Sequence, residues 1–150
     1  VLFILLFYLT CVSADCIWYG IGDHKDPVHP HYTFYEGRGR PLNDADAYQV
    51  LSKMCPTYAL GPDTPLCCDK EQLNFFHESA KPAYELFRRC PSCWANFRML
   101  LCAMTCDPNQ AEFLTPTMVV GKLVFSVQYN LTKSFADSFF NSCKVGNVGL

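Results

Sequence analysis

The chain has 150 residues, half of them hydrophobic and 15% aromatic, and its formal net charge is −2. This length and composition are sufficient for one domain with its own hydrophobic core. A nucleic-acid-binding domain would carry a basic patch, so the weakly acidic balance excludes that class. Ten cysteines in so short a chain indicate an oxidised, disulfide-rich protein.

The N-terminus is typical of the end of a secretory signal peptide. Val1–Leu9 is an uninterrupted apolar run, and Val12 and Ala14 are small residues at the positions that signal peptidase reads. The run is too short for a transmembrane helix, which needs about 20 apolar residues. We predict a partial signal peptide at residues 1–14, cleaved after Ala14, and a single domain over residues 15–150.

The number of cysteines left after signal-peptide cleavage is odd. Cys11 leaves with the signal peptide, and nine cysteines remain. An odd number in a secreted chain implies a free thiol, an intermolecular bridge or a missing partner. We expect the third case, with the domain truncated at its C-terminus.

The first half of the domain predicts one loop and one helix. Residues 20–41 contain Asp-Pro, His-Pro and Gly-Arg-Gly and little periodicity, so we predict an irregular, exposed loop with solvated histidines. Asn43 then caps a helix that reaches about Met54, with acidic residues in its first turn and an apolar face. Pro56 blocks its continuation.

Two shorter helices are predicted next. Asp69 with Gln72 three residues later forms a capping-box pattern, which predicts a helix to about Ser79. Pro82 suits the first turn of another short helix, through Arg89.

The second half of the domain predicts two helices and a strand. Pro91 begins a helix to about Thr105, with one apolar stripe facing the core. The segment from Lys122 to Tyr129 is rich in β-branched and aromatic residues and predicts a strand. Thr132 then caps a last helix to about Cys143. The stripe of the first helix is Trp94, Phe97, Leu101 and Met104, and the last helix turns Phe135, Phe139 and Phe140 inward.

These elements predict an α+β, mostly helical, disulfide-rich domain with a small β element. The cysteines have three possible roles: a redox motif, a zinc site and structural disulfides. Cys90-Pro-Ser-Cys93 matches a thiol oxidoreductase C-x-x-C, but no βαβ pattern precedes it. Zinc would need reduced thiolates, which an oxidising lumen does not favour, so we expect no metal and structural disulfides. Spacing alone leaves their connectivity open, because eight cysteines allow about 105 pairings.

Five motifs carry a family resemblance. They begin at Cys16 (CIWYG), Leu66 (LCCDKEQL), Arg89 (RCPSCWAN), Cys102 (CAMTC) and Ser134 (SFAD). In this order and spacing they closely resemble the N-terminal luminal domain of the Niemann-Pick type C intracellular cholesterol transporters. The resemblance implies the disulfides Cys16–Cys67, Cys55–Cys102, Cys68–Cys106 and Cys93–Cys143, and leaves Cys90 for a cysteine beyond residue 150.

The resemblance also implies a central apolar pocket for one sterol, and no catalytic residue or cofactor. Gln72 falls on the amide that bonds the sterol hydroxyl, although it has an alternative role as the capping-box partner of Asp69. Trp18 falls at the closed end of the pocket, and Thr33 near a family asparagine. The predicted lining residues, for which ordinary core packing is the alternative, are Phe75, Phe76, Trp94, Asn96, Leu101 and Thr105.

By the same resemblance the chain receives a cholesterol-like sterol from a small soluble Niemann-Pick carrier in the lumen of late endosomes or lysosomes. It then passes the sterol on for export, and a downstream part of the protein holds it at the membrane. Asn130 begins an N-glycosylation sequon that suits this compartment. The sequence departs from the family pattern in having no cysteine between Cys16 and Cys55 and in lacking the asparagine. The alternative is a folate- or riboflavin-binding domain, since vitamin-binding receptors have a similar disulfide-rich style, and a thiol oxidoreductase acting through Cys90 and Cys93 comes behind it.

Overall fold

A computed structural model describes residues 15–26 and 28–144 of the chain. Within these residues lie four α-helices and one antiparallel sheet with strand order β1-β2-β4-β3, which confirms the mostly helical α+β class. The predicted signal peptide lies outside the described residues. The strands are β1 (Cys16–Asp23), β2 (His31–Gly37), β3 (Leu114–Val120) and β4 (Leu123–Tyr129), and the helices are α1 (Ala45–Met54), α2 (Lys70–Phe87), α3 (Pro91–Cys106) and α4 (Lys133–Lys144).

The prediction of an irregular loop over residues 20–41 is wrong. Half of this segment, residues 20–23 and 31–37, belongs to β1 and β2, which pair in antiparallel fashion with several register shifts. Each shift interrupts the alternation of apolar and polar residues, so the period of two that signals a strand is lost. Gly20 lies inside β1 with a φ of 79°, a left-handed conformation that favours glycine.

The structure confirms the strand predicted near residues 122–129 and adds its partner. β3 and β4 form a hairpin in which Val120 pairs with Leu123, so that Gly121 and Lys122 make the turn. Gly121 has a φ of 62°, as two-residue hairpin turns of this kind require. Sequence reasoning missed β3 because Pro116 argues against a strand, and an edge strand tolerates proline.

The start of α1 corrects the predicted cap by one residue. Asp44, rather than Asn43, accepts a hydrogen bond from the backbone N–H of Ala47 at 2.8 Å. Asn43 itself has a φ of 52°, outside the helix. The end at Met54 is confirmed.

The two helices predicted at residues 69–79 and 82–89 are one helix, α2. Its capping box is confirmed, since Asp69 accepts from the backbone of Gln72 and the Gln72 side chain accepts from the backbone of Asp69. Pro82 lies inside the helix on its exposed side. A proline there costs about 3 kcal/mol. The part of α2 that follows Pro82 packs against α3 through two aromatic pairs, and this packing offsets the cost. The pairs are Tyr84 with Trp94 and Phe87 with Phe97.

The predicted bounds of α3 and α4 are confirmed to within a residue or two. Thr132 accepts a hydrogen bond from the backbone of Phe135 at 3.3 Å, as its predicted capping role requires. Phe135 and Phe139 are half-buried on α4, but Phe140 is 67% exposed, so the prediction that it turns inward is wrong.

Four disulfides join the elements, and they are the pairs that the resemblance implies: Cys16–Cys67, Cys55–Cys102, Cys68–Cys106 and Cys93–Cys143. Two of them connect α3 to the end of α1 and to the start of α2, in the middle of the helical core. A second apolar cluster lies on the sheet around Trp18 and Leu114. In the part of the chain that the structure describes, no helix is long and apolar enough to cross a lipid bilayer.

Candidate functional site

A cavity of about 190 Å³ lies where α2 and α3 face Tyr32 of β2. We call it the Tyr32 cavity. Its walls are apolar apart from three hydroxyl groups. The lining residues are Tyr32, Phe75, Phe76, Ser79, Ala80, Ala83, Phe97, Leu101, Met104 and Thr105.

Gln72 lies on α2 one helical turn before Phe75 and Phe76, on the same face of the helix. Its side chain is fully buried. The amide oxygen accepts from the backbone N–H of Gly20 at 2.6 Å and from that of Asp69 at 3.2 Å. The amide nitrogen is buried without a hydrogen-bond partner among the described residues. Gln72 therefore serves the capping box with its oxygen and leaves its donor free.

Trp18 lies in β1 and is 5% exposed. Its ring packs edge-on against the ring of Tyr32, with 4.9 Å between the centroids. Its indole nitrogen is a second buried donor with no partner in residues 15–26 and 28–144. An unpaired buried donor costs about 1 to 3 kcal/mol, so an acceptor supplied by a ligand would stabilise either of these two donors.

Tyr32, and not Thr33, faces the cavity from β2. Tyr32 and Phe34 pack on the sheet cluster, whereas Thr33 points to the other face of the strand, towards Gly22. Burial, followed by the nearby charge of Asp69, raises the pKa of Tyr32 to about 12. The phenol therefore stays neutral at physiological pH and keeps a proton to donate.

The structure brings together Phe75, Phe76, Leu101 and Thr105 of the predicted lining, all of which line the Tyr32 cavity. It does not bring the other predicted lining residues there. Asn96 donates a hydrogen bond to Ser142 of α4 at 2.9 Å. Trp94 lines a separate pocket on another side of the α2–α3 pair.

Sequence reasoning missed several residues of the site. Phe97 and Met104 were assigned to a core stripe, and the structure places them at the cavity with Leu101. Tyr32 was missed because its segment was interpreted as a loop, although the alternation of Tyr32 and Phe34 was the available signal. Gln110 was not considered. It is fully buried and donates to the carbonyls of Met104 and Thr105, which fixes the end of α3 beside β1.

The cysteines form bonds that do not match redox chemistry through C-x-x-C. Cys93 is bonded to Cys143, and Cys90 is the free cysteine in the described part of the chain. The Cys90 thiol lies 3.2 Å from the carbonyl oxygen of Ser142. Across residues 15–26 and 28–144, no three His, Cys, Asp or Glu side chains are grouped as metal ligands.

The arrangement suits an apolar ligand with one polar end. Aromatic and aliphatic side chains supply the walls. The two unpaired donors belong to neighbours of wall residues, since Gln72 lies one helical turn from Phe76 and Trp18 packs on Tyr32. Such a site fixes the orientation of a ligand through a single hydroxyl or carbonyl group.

Comparison with known proteins gives one family and a consistent set of relatives. The family described as "Niemann-Pick C1 N terminus" matches residues 13–149. The chain is 29% identical over 153 aligned positions to the pig protein named NPC intracellular cholesterol transporter 1, an alignment that covers 95% of this chain and 12% of the relative. It is 34% identical to the Drosophila melanogaster NPC intracellular cholesterol transporter 1 homolog 1b, over 87% of this chain and 11% of the relative.

The human protein named NPC1-like intracellular cholesterol transporter 1 is 38% identical over 63% of this chain and 7% of its own length. The chain thus spans about a tenth of the length of the relatives that it matches. These relatives are named as transporters.

Proposed function

The chain belongs to the Niemann-Pick C1 N-terminal family, and on that premise we propose that it binds one cholesterol-like sterol and passes it on for export by a membrane transporter. The Tyr32 cavity is the proposed binding site. The relatives are named as intracellular cholesterol transporters, which supports the choice of ligand.

The observation that carries the proposal is the buried, unpaired amide nitrogen of Gln72. A sterol has an apolar ring system with a single hydroxyl, which matches apolar walls with one polar end. The hydroxyl oxygen would accept a hydrogen bond from the Gln72 amide. Both roles of Gln72 are then compatible, since the capping box uses the amide oxygen.

Tyr32 is the proposed second polar partner, in place of Thr33. Its ring already forms part of the cavity wall, and its neutral hydroxyl both donates and accepts hydrogen bonds. A sterol hydroxyl between Gln72 and Tyr32 would accept from one and donate to the other.

The cavity must widen to admit the whole ligand. Its volume of about 190 Å³ is below the ~300 Å³ at which pockets for drug-sized molecules begin. Leu101 and Met104 are half-buried residues of the wall. Neither is branched at Cβ, so their rotamers can change without moving the α3 backbone. We expect the sterol to displace them.

The experiment is saturation binding of radiolabelled cholesterol to the full chain in its oxidised form, comparing wild type with Gln72→Met. The substitution keeps a side chain of similar length and removes the amide. We expect affinity for cholesterol to fall about tenfold, the effect of losing one hydrogen bond to a buried hydroxyl. Cholestane, which lacks the hydroxyl, should bind both proteins equally.

Gln49→Met is the matched control, because it makes the same chemical change at an exposed position on α1. Circular dichroism measures the helix content of each variant, and so shows whether a loss of binding comes with a loss of helix. If folded Gln72→Met protein bound cholesterol as tightly as wild type, the proposed site would be incorrect. Tyr32→Phe should give a smaller loss that is likewise absent with cholestane.

The proposal extends to the partner and the compartment. We propose that a small soluble Niemann-Pick carrier delivers the sterol in the lumen of late endosomes or lysosomes, with Asn130 glycosylated. Asn130 is exposed between β4 and α4, as a glycosylated asparagine must be. Transfer of labelled sterol from loaded carrier to this chain, compared with transfer to Gln72→Met, tests the delivery step. A mass shift on glycosidase treatment tests the glycan.

A further inference from the structure

A second pocket, of about 240 Å³, lies on another side of the α2–α3 pair, beside the end of α1. We call it the Trp94 pocket. Tyr84 of α2 and Trp94 of α3 form one wall, with their rings edge to face and 5.3 Å between centroids. Its lining residues are Met54, His77, Ala80, Lys81, Tyr84, Trp94 and Arg98.

The polar groups of the Trp94 pocket are basic. Lys81 and Arg98 both line it, and none of the described lining residues is acidic. Arg98 forms no ion pair within residues 15–26 and 28–144 and donates one hydrogen bond, to the carbonyl oxygen of Lys53 at 3.1 Å. Lys81 pairs with Glu78, but both side chains are more than half exposed, and such a pair contributes little.

His77 is the third polar residue that lines the pocket. Its Nδ1 is buried and has no hydrogen-bond partner in the described part of the chain. A guanidinium without a carboxylate partner among the described residues and an ammonium whose one carboxylate partner is exposed therefore line one pocket. Together these two cations are complementary to an anion from outside the chain.

We propose that the Trp94 pocket binds a small organic monocarboxylate with an aromatic or short alkyl body. The carboxylate would lie between Arg98 and Lys81, where guanidinium geometry favours two parallel hydrogen bonds. The apolar body would pack on Tyr84 and Trp94. The volume of about 240 Å³ limits that body to roughly one ring with a short chain, since pockets for drug-sized ligands begin at ~300 Å³. This site is independent of the proposed sterol site.

The test uses isothermal titration calorimetry on the full oxidised chain, with phenylbutyrate as the probe and phenylbutanol as its uncharged match. We expect the acid to bind about tenfold more tightly than the alcohol, because a charge-assisted hydrogen bond contributes that much. Arg98→Gln should weaken binding of the acid by about the same factor and leave the affinity for the alcohol unchanged. Arg98→Lys should retain part of the affinity.

Arg89→Gln is the matched control, an exposed arginine outside the pocket. Should Arg98→Gln fail to fold, Lys81→Gln replaces it, since the Lys81 side chain is 59% exposed. Equal affinities for acid and alcohol would overturn the proposal, and so would equal losses in Arg89→Gln and the pocket variant. A loss confined to the pocket variant and to the acid would support it.

Discussion

The Tyr32 cavity and the Trp94 pocket are formed by the same two helices, and Ala80 of α2 lines both. Both have aromatic walls. They differ in their polar groups. Neutral hydroxyl groups line the first, to which we assign the free Gln72 amide as well, whereas Arg98, Lys81 and His77 line the second. Apolar walls of this kind accept many ligands, whereas the few polar groups select one class. The comparison therefore predicts a neutral amphiphile on one side and an anion on the other.

The largest effect should come from the disulfides that hold the two sides together. We expect the double variant Cys68→Ala/Cys106→Ala to lose about 4 kcal/mol of unfolding free energy, since the bond closes a loop with a sequence separation of 38. Because this bond joins the start of α2 to the end of α3, sterol affinity of the folded protein should fall too. Guanidinium denaturation and cholesterol binding measure the two effects.

The comparison variant is Cys93→Ala/Cys143→Ala, which opens a similar loop, with a separation of 50, between α3 and α4. It should lose a similar unfolding free energy and keep more of its sterol affinity. Equal sterol losses in the two folded double variants would mean that the Tyr32 cavity does not depend on the Cys68–Cys106 bond.

Ala80→Leu should affect both sites at once. Ala80 is 3% exposed and lines both cavities, so the three added carbons would occupy space that the ligands need. Crowding at this buried position would cost up to about 3 kcal/mol of stability. We expect weaker binding of both cholesterol and phenylbutyrate. Ala83→Leu is the control, because Ala83 lines the Tyr32 cavity but not the Trp94 pocket. It should weaken the binding of cholesterol but not that of phenylbutyrate. An effect of Ala83→Leu on the acid would show that the sites are coupled.

Alkaline pH should destabilise the sterol side through Tyr32. Burial raises its pKa from 10.0 to about 12 in the folded protein. A pKa raised by folding gives a stabilisation that is complete below the unfolded value and is lost as pH rises through the folded one. Between pH 10 and 12 we expect Tyr32 to account for a loss of roughly 2 kcal/mol.

The measurement is urea denaturation against pH, in a Cys90→Ser background that prevents disulfide exchange. Tyr32→Phe should lose less stability than the parent over this interval. An identical loss in the two proteins would mean that Tyr32 titrates at its ordinary pKa.

The smallest effect should come from Asp69→Ala, which removes the cap of α2 but keeps the amide of Gln72. We expect a loss of about 1 kcal/mol in unfolding free energy. Cholesterol affinity should change much less than in Gln72→Met, because the proposed donor remains. A loss of affinity as large as that of Gln72→Met would show that Gln72 acts through the capping box alone.

Much of the fold could be predicted from local patterns. The caps of α2 and α4 and the proline that begins α3 are local signals, and the structure confirms them. The failures come from long-range contacts. β1 and β2 form a sheet through irregular pairing, and α2 continues past Pro82 because α3 packs against it. Neither contact is visible in a window of local sequence.

The candidate site shows the same division. Gln72, Phe75 and Phe76 follow from one motif on one helix, and the resemblance placed them together. The choice of Tyr32 over Thr33 depends on which face of β2 meets the helices, and a shift by one residue reverses that choice. Trp94 and Phe97 lie three residues apart in one predicted stripe, but α3 divides them between two cavities.

The sequence by itself determined the cysteine framework, through its family resemblance, the helical segments and the capping role of Gln72. Each depends on residues close together in the chain or on a motif read as a unit. The tertiary structure alone decided that the Gln72 donor is unpaired, that Tyr32 faces the cavity and that Arg98 lacks a carboxylate partner among the described residues. Burial and hydrogen-bond pairing are properties of the packed domain, because the groups that satisfy or exclude one another come from distant segments.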